Sequence, residues 1–336
     1  MDIGKYKIIG LLGEGNFGKV FRAHDLLLNV DRAIKIISVQ QPQEFINAIN
    51  EAQILERCRH NNIVDIKEID LQDVTGTLYP CIVMEYLKNG SAQKLLEKKF
   101  ITVQHSIKII SEVLFGLEHA HNQGILHRDI KPGNILFSDH WQAKLSDFGL
   151  AYGLAHQPFN FVGYNSHLAP EVVEGVAQDE LSDLYSMGVT FLRLLNNMTI
   201  LDIPFSDNTL WYKALKNEKF PVREFKPNIP NQIIRVVRKS IKADRGDRFQ
   251  TCLQFRQALQ TIPLAIEWSP IDQDNWGGGN NSDFFNLELF KRRTGYFIDF
   301  KKNGRKISER CCVQINNQDL ARKEFFQIIQ ESTISI

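Results

Sequence analysis

The chain has 336 residues, with 40 lysines and arginines against 39 aspartates and glutamates, and is 43% hydrophobic and 24% charged. That length holds two substantial lobes or domains, and a net charge of +1 excludes a global field that would favour nucleic acid or a membrane surface. No stretch approaches the roughly 18 apolar residues of a spanning helix, and the five scattered cysteines (Cys58, Cys81, Cys252, Cys311, Cys312) read as reduced thiols, so a cytoplasmic protein without membrane contact is expected.

In chain order, Tyr6 to Leu12, Lys19 to His24 and Arg32 to Ile37 are short apolar or alternating runs, which predict antiparallel strands. The first two flank the loop Gly13-Glu14-Gly15-Asn16-Phe17-Gly18, where the absence of side chains at Gly15 and Gly18 lets backbone N–H groups approach phosphate oxygens. Lys35 lies within an apolar strand and is costly to bury unless an anion holds it. Between Gln43 and Cys58 the residues Phe45, Ile49, Ala52 and Leu55 recur at helical spacing, which predicts a helix carrying Glu51 as the natural partner of Lys35. Strands return at Ile63 to Ile69 and Tyr79 to Leu87.

From Thr102 the pattern becomes helical. Ile107, Ile110, Leu114, Leu117 and His121 share a face, and Gly124 is the expected stop. Next comes His127-Arg128-Asp129-Ile130-Lys131-Pro132-Gly133-Asn134, followed by Asp147-Phe148-Gly149. Asp129 is placed to accept a proton from a hydroxyl and Lys131 to neutralise a phosphoryl group in flight. Asn134 and Asp147 offer hard oxygen ligands for Mg2+. Further helices are predicted at Leu181 to Leu195, around Ile233 to Ile241, and around Cys252 to Leu259.

The joint order of the glycine loop, Arg32-Ala33-Ile34-Lys35, the Asp129 run, Asp147-Phe148-Gly149 and Ala169-Pro170-Glu171 resembles the eukaryotic-like (Hanks-type) serine/threonine protein kinases, over roughly residues 5 to 262. The wording Asp247-Arg248-Phe249-Gln250 is similar to kinases of the bacterial type. The resemblance implies an α+β, two-lobed fold, with an antiparallel sheet and one helix in an N-lobe of about 1–87 and a mainly helical C-lobe of about 88–263. It implies ATP and Mg2+ as cofactors, Lys35 paired with Glu51 on the α- and β-phosphates, and phosphates under Gly13, Gly15 and Gly18. Adenine is then expected between Leu12, Val20, Ala33 and Leu136, read by the backbones of Glu85 and Leu87 with Met84 behind. Asp183 matches a residue that anchors the catalytic-loop backbone, and Arg248 matches a partner of Glu171. One departure is Tyr164, which stands where such kinases have a threonine. Arg128 points to a loop ordered by phosphate, with Tyr152, Tyr164 and above all Ser166 as acceptors. A nucleotide-binding pseudokinase, or an adaptor acting through the C-terminal region, is the alternative from another class.

After Pro263 the resemblance ends. Residues 264–283, with Gly277-Gly278-Gly279-Asn280-Asn281, read as a linker, and residues 284–336 as a small α+β module. Phe285, Leu287 and Leu289 suggest a strand. Asn303-Gly304 marks a hairpin between Tyr296 to Phe300 and the alternating run Ile307 to Val313, and a helix from about Asn317 carries Ala321, Phe325, Ile328 and Ile329 on one face. Residues 291–310 hold eight cations (Lys291, Arg292, Arg293, Lys301, Lys302, Arg305, Lys306, Arg310) against Asp299 and Glu309. That excess is a possible contact for an acidic protein or nucleic acid, against the plainer reading of solvated edge charges. Oligomeric state is not legible.

Overall fold

The structure is a computed structural model that describes residues 2–15, 18–37, 53, 56–74, 77–148, 165–205, 207–311 and 314–334. Two compact units are formed, one by residues 1–94 with 112–186 and the other by residues 95–111 with 187–336.

The first unit holds an antiparallel sheet of six strands: β1 (Asp2–Ile3), β2 (Tyr6–Gly15), β3 (Gly18–Asp25), β4 (Val30–Ile36), β5 (Ile66–Val74) and β6 (Thr77–Glu85), in the order β1-β2-β3-β4-β6-β5. Its buried face collects Tyr6, Ala23, Ile34, Cys81 and Val83. The expected strand from Ile63 starts later, at Ile66, because Ile63 instead bridges Leu145. Of the helix expected from 43 to 58, Gln53, Glu56 and Arg57 are helical, and Glu51 lies outside the described residues. A second hairpin joins β7 (Ile135–Phe137) to β8 (Ala143–Leu145), in register Ile135 to Leu145.

The helices follow the apolar spacing. They are α1 (Ala92–Lys98), α2 (Val103–Asn122), α3 (Pro170–Val173), α4 (Glu180–Leu195), α5 (Asn208–Lys216), α6 (Asn231–Ser240) and α7 (Cys252–Gln260). In α2, Ile107, Ile110, Leu114 and Leu117 are buried, and Gly124 ends the run at a φ of 70° that a β-carbon would disfavour.

The second unit contains a five-stranded antiparallel sheet. Its strands are β9 (Glu267–Pro270), β10 (Asn275–Gly279), β11 (Phe284–Arg292), β12 (Gly295–Lys302) and β13 (Arg305–Lys306), in the order β13-β12-β11-β10-β9, covered by α8 (Gln318–Ile334). The stretch 264–283 is therefore not a linker, since it supplies β9 and β10. Trp268 and Trp276 are buried there, and a β-carbon on Gly278 would lie 2.6 Å from Ile266, so the glycines make room for packing. Of the strand expected over 307–313, Ser308–Arg310 turn instead, and Cys312 and Val313 lie outside the described residues; the short strand that pairs with the end of β12 is Arg305–Lys306. Where pairing stops, the half-exposed Cys311 takes over, its Sγ lying 3.3 Å from the Phe300 N–H and 3.6 Å from its carbonyl.

The module is tied into its unit. Gln104 donates to the Ile266 carbonyl, Phe100 meets Trp276 edge-on with centroids 5.6 Å apart, and Gln330 donates 2.7 Å to the Pro227 carbonyl. Asn317 caps α8 by accepting from the N–H groups of Asp319 (2.8 Å) and Leu320 (3.1 Å).

Candidate active site

The β7–β8 hairpin fixes the position of the chemistry. Pro132–Asn134 form a 3-10 turn just before β7, and Ser146 follows β8; Ser146 donates its N–H (2.9 Å) and its hydroxyl (3.1 Å) to the Asn134 carbonyl. Asn134, just before β7, and Asp147, just after β8, are thereby held at the same end of the hairpin. The hairpin is itself anchored, since Asn62 donates 2.9 Å to the Ala143 carbonyl and accepts 2.8 Å from the Leu145 N–H.

Asp129 is held by both of its expected neighbours. Its Oδ2 accepts from Lys131 Nζ at 2.6 Å and from Asn134 Nδ2 at 2.8 Å. That nitrogen also donates 2.8 Å to the Asp129 carbonyl, which leaves Asn134 Oδ1 to serve as a metal ligand. Lys35, buried in β4, donates 3.0 Å to Asp147 Oδ1. Burial by itself pushes the Asp147 carboxyl up, and the Lys35 ammonium outweighs it and holds the group below the usual carboxylate range. Its side chain remains 44% exposed, so the ionised carboxylate faces outward. The described partner of Lys35 is thus Asp147, a residue the spacing to Glu51 gave no reason to choose.

Asp183 carries the catalytic-loop backbone. Its two oxygens accept from the N–H groups of His127 and Arg128, each at 2.8 Å, and from His121 Nε2 at 2.9 Å. Arg128 has a φ of 68° and Asp147 a φ of 63°, left-handed positions that are costly for residues with a β-carbon. His121 stood in the sequence as one member of an apolar face; its place in the last turn of α2, beside the loop, was the available signal. His127 is fully buried. Its Nδ1 accepts from the Asp129 N–H at 3.2 Å, so Nε2–H donates 2.9 Å to the Ser146 carbonyl, and burial keeps the ring neutral by pushing its pKa down. The ring packs 4.6 Å from that of Phe148. It positions Asp129.

The sheet register brings together much of the expected nucleotide pocket. Val20 pairs with Lys35, and Ala33 with Met84, so alternation puts Val20, Ala33, Lys35 and Met84 on one face. Ala33 and Leu87 are buried, and Leu12, Glu85 and Leu136 are half-buried. Gly13 pairs with Val20 and Gly15 with Gly18; Asn16 and Phe17 lie outside the described residues. Only glycine fits at Gly18, where φ is 130° and a β-carbon would lie 2.1 Å from the Ile36 carbonyl oxygen.

Among the described residues no group of three or more His, Cys, Asp or Glu side chains is placed to hold a metal. One carboxylate and one amide oxygen instead suit a hard cation whose remaining ligands come from phosphate and water. Tyr152 and Tyr164 lie outside the described residues. Ser166 is 4% exposed with its hydroxyl 3.3 Å from His167 Nδ1, so the favoured phosphate acceptor is packed away. The basic stretch of the module is largely answered locally: Lys302 pairs with Asp283 at 2.8 Å, Lys306 with Asp299 at 2.7 Å, and Arg292 covers the rings of Phe290 and Phe297.

A model of the protein kinase domain matches residues 6–261. "Serine/threonine-protein kinase PksC" of Streptomyces coelicolor is 30% identical over 305 residues, covering 84% of this chain and 54% of that relative. "Serine/threonine-protein kinase PrkC" of Bacillus subtilis is 29% identical over 274 residues, covering 77% of this chain and 40% of the relative. "Serine/threonine-protein kinase TOS3" of Saccharomyces cerevisiae is 33% identical over 241 residues, covering 62% and 42%. The chain thus spans about half the length of these relatives or less. A domain match over most of the sequence, meeting a site in which Asn134 bonds the Asp129 carboxylate and its carbonyl accepts from the Ser146 N–H next to Asp147, makes this chain a member of the protein kinase family.

Proposed function

We propose that the chain is an ATP- and magnesium-dependent protein kinase that transfers the γ-phosphoryl group to serine or threonine hydroxyls of proteins, itself included. Membership of the family implies ATP and a divalent metal, and the hard-oxygen pair Asn134 and Asp147 supports magnesium. The observation that carries the reading is the Asp129 carboxylate fixed between Lys131 and Asn134.

In this reading Asp129 orients the attacking hydroxyl and takes its proton, while Lys131 stands where negative charge develops on the transferred group. Lys35 meets the α- and β-phosphates and gives up its bond to Asp147 as it does so. Asn134 and Asp147 would hold the metal, which would supply positive charge to offset that of the phosphates. The names of the relatives support serine/threonine specificity. No observation on the described residues favours a pseudokinase.

No described helix is long and apolar enough to cross a membrane; a cytoplasmic site belongs to the proposal. So does a division into a kinase domain ending near residue 263 and a following module that recruits substrate or regulates.

Transfer of labelled γ-phosphate to the chain and to generic protein substrates tests the reading. Label on serine or threonine that disappears in both Asp129→Ala and Asp147→Ala is the expected result. Absence of label from wild type that binds ATP would overturn it.

A further inference from the structure

The segment connecting β6 to α1 is held at both ends by bonds that the catalytic motifs do not require. At its far end the Phe137 N–H donates 2.9 Å to the Gly90 carbonyl, and Ser91 bridges Leu136. At its near end the Glu85 side chain turns inward, where Oε1 accepts from the Asp65 N–H at 2.8 Å and from Lys144 Nζ at 2.6 Å. The Glu85 N–H in turn donates 3.0 Å to the Asp65 carbonyl. The pair is sheltered, with 13% of the Lys144 side chain and 21% of the Glu85 side chain exposed. A surface ion pair is worth little, but one excluded from water and sharing its carboxylate oxygen with a backbone N–H is directional and costly to break.

The position of Lys144 gives this pair a function. On the β7–β8 hairpin Lys144 is directly opposite Leu136, so the two side chains project from the same face. Leu136 is one wall expected for adenine, and the Glu85 and Leu87 backbones are the expected readers of its edge. One ammonium group thus fixes the spacing between wall and reader.

We infer that Lys144, acting through the Glu85 carboxylate, is a positioning residue for adenine recognition. The inference rests on the ATP-dependent reading above. Lys144 does not touch the nucleotide; it clamps the peptide groups at Glu85 to Leu87 at a set height above Leu136. With the clamp gone, the segment drifts relative to the hairpin, and the loss falls on recognition of the base rather than on transfer of the phosphoryl group, whose apparatus hangs on Asp183, His127 and Ser146.

The test uses the full chain as wild type, Lys144→Met, Lys144→Arg and Glu85→Gln, reading ATP affinity by calorimetry, KM and kcat for ATP and GTP, and Tm. Lys144→Met should raise KM for ATP about tenfold and narrow the preference of ATP over GTP, with kcat within about twofold, and Lys144→Arg should recover most of the affinity. Glu85→Gln, which keeps an acceptor for the Asp65 N–H but loses the charge, should lower ATP affinity and narrow the ATP/GTP preference as Lys144→Met does, and reads the clamp even where Lys144→Met folds poorly. Unchanged ATP affinity in Lys144→Met or Glu85→Gln overturns the inference. So does a loss that is equal in the Met and Arg variants and follows Tm with the ATP/GTP ratio constant. Wild type that binds no ATP is a separate result, obtained first on the same preparation, and removes the functional reading and the clamp with it.

Discussion

The catalytic segment from His127 to Asp147 and the module from Glu267 to Ile334 bend their backbones by opposite means. In the catalytic segment the left-handed positions fall on Arg128, Trp141 and Asp147, at φ of 68°, 59° and 63°, where a β-carbon costs on the order of 1 kcal/mol or more apiece. At Arg128 and Asp147 that strain persists because Asp183 grips the N–H groups of His127 and Arg128 and Ser146 is bonded to Asn134. In the module, tight turns fall mainly on Gly295, Asn303 and Gly304, residue types suited to them, and the stability lies in an apolar core around Leu287, Phe300 and Phe325. Gln314, at φ 45°, is the exception, and its side chain bonds the Thr294 carbonyl at 2.7 Å. One region uses polar bonds to hold costly geometry for chemistry; the other uses cheap geometry to bury carbon.

The contrast predicts that matched damage will separate activity from stability. The largest effect is expected for Asp183→Ala, which strands two loop N–H groups: phosphoryl transfer should fall by about a hundredfold or more, against a loss of about 2–3 kcal/mol in unfolding free energy. Steady-state kinetics beside urea denaturation decides this, and a rate that falls only as far as the folded fraction would break the comparison. Phe325→Ala should do the reverse, costing about 3–5 kcal/mol in denaturant titrations while kcat of the still-folded protein stays near wild type. A kcat that collapses with the module intact would show the two regions to be one functional device. Gly304→Ala, at φ 78°, should cost about 1 kcal/mol in the same titration without touching kinetics.

The smallest effect concerns protons. Asp31, at 2.9 Å, raises the pKa of His24 above its ordinary value. A raised pKa means that His24 contributes stability in full below the unfolded histidine value of about 6.5 and loses it as pH climbs through the folded value. The His24 ring signal in NMR should therefore titrate above that value in wild type and move down in Asp31→Asn; an unmoved midpoint would exclude the pair as the cause.

How far each region could be read from sequence follows from the same physics. Asp129, Lys131, Asn134 and Asp147 stood out as candidates because carboxylate, ammonium and amide groups fall together in two short runs of the sequence, and β4 was legible from apolar alternation around Lys35. The Lys35–Asp147 contact was not, because it joins residues far apart in the chain and depends on a left-handed backbone that aspartate adopts only occasionally. In the module, Ala321, Phe325, Ile328 and Ile329 gave the α8 face directly, and Asn303-Gly304 gave the turn. Residues 264–283 misled because a glycine run has the composition of a loop, and the reason for Gly278, contact with Ile266 and Trp268, exists only after folding. At the β11–β12 turn the tip residues Arg293 and Thr294 are not turn formers, and Gly295, at φ 144°, is its one local signal.

Burial drives the thiols of Cys58 and Cys81 up to about 11, which leaves them almost entirely protonated and slow toward electrophiles at neutral pH. Cys311 is different, since it is half-exposed and its sulfur fills the place of a missing strand partner beside Phe300. An alkylating reagent therefore meets that sulfur freely only when the β12 margin breathes. The rate at which Cys311 is labelled becomes a clock for the opening of that margin, one that needs no introduced probe.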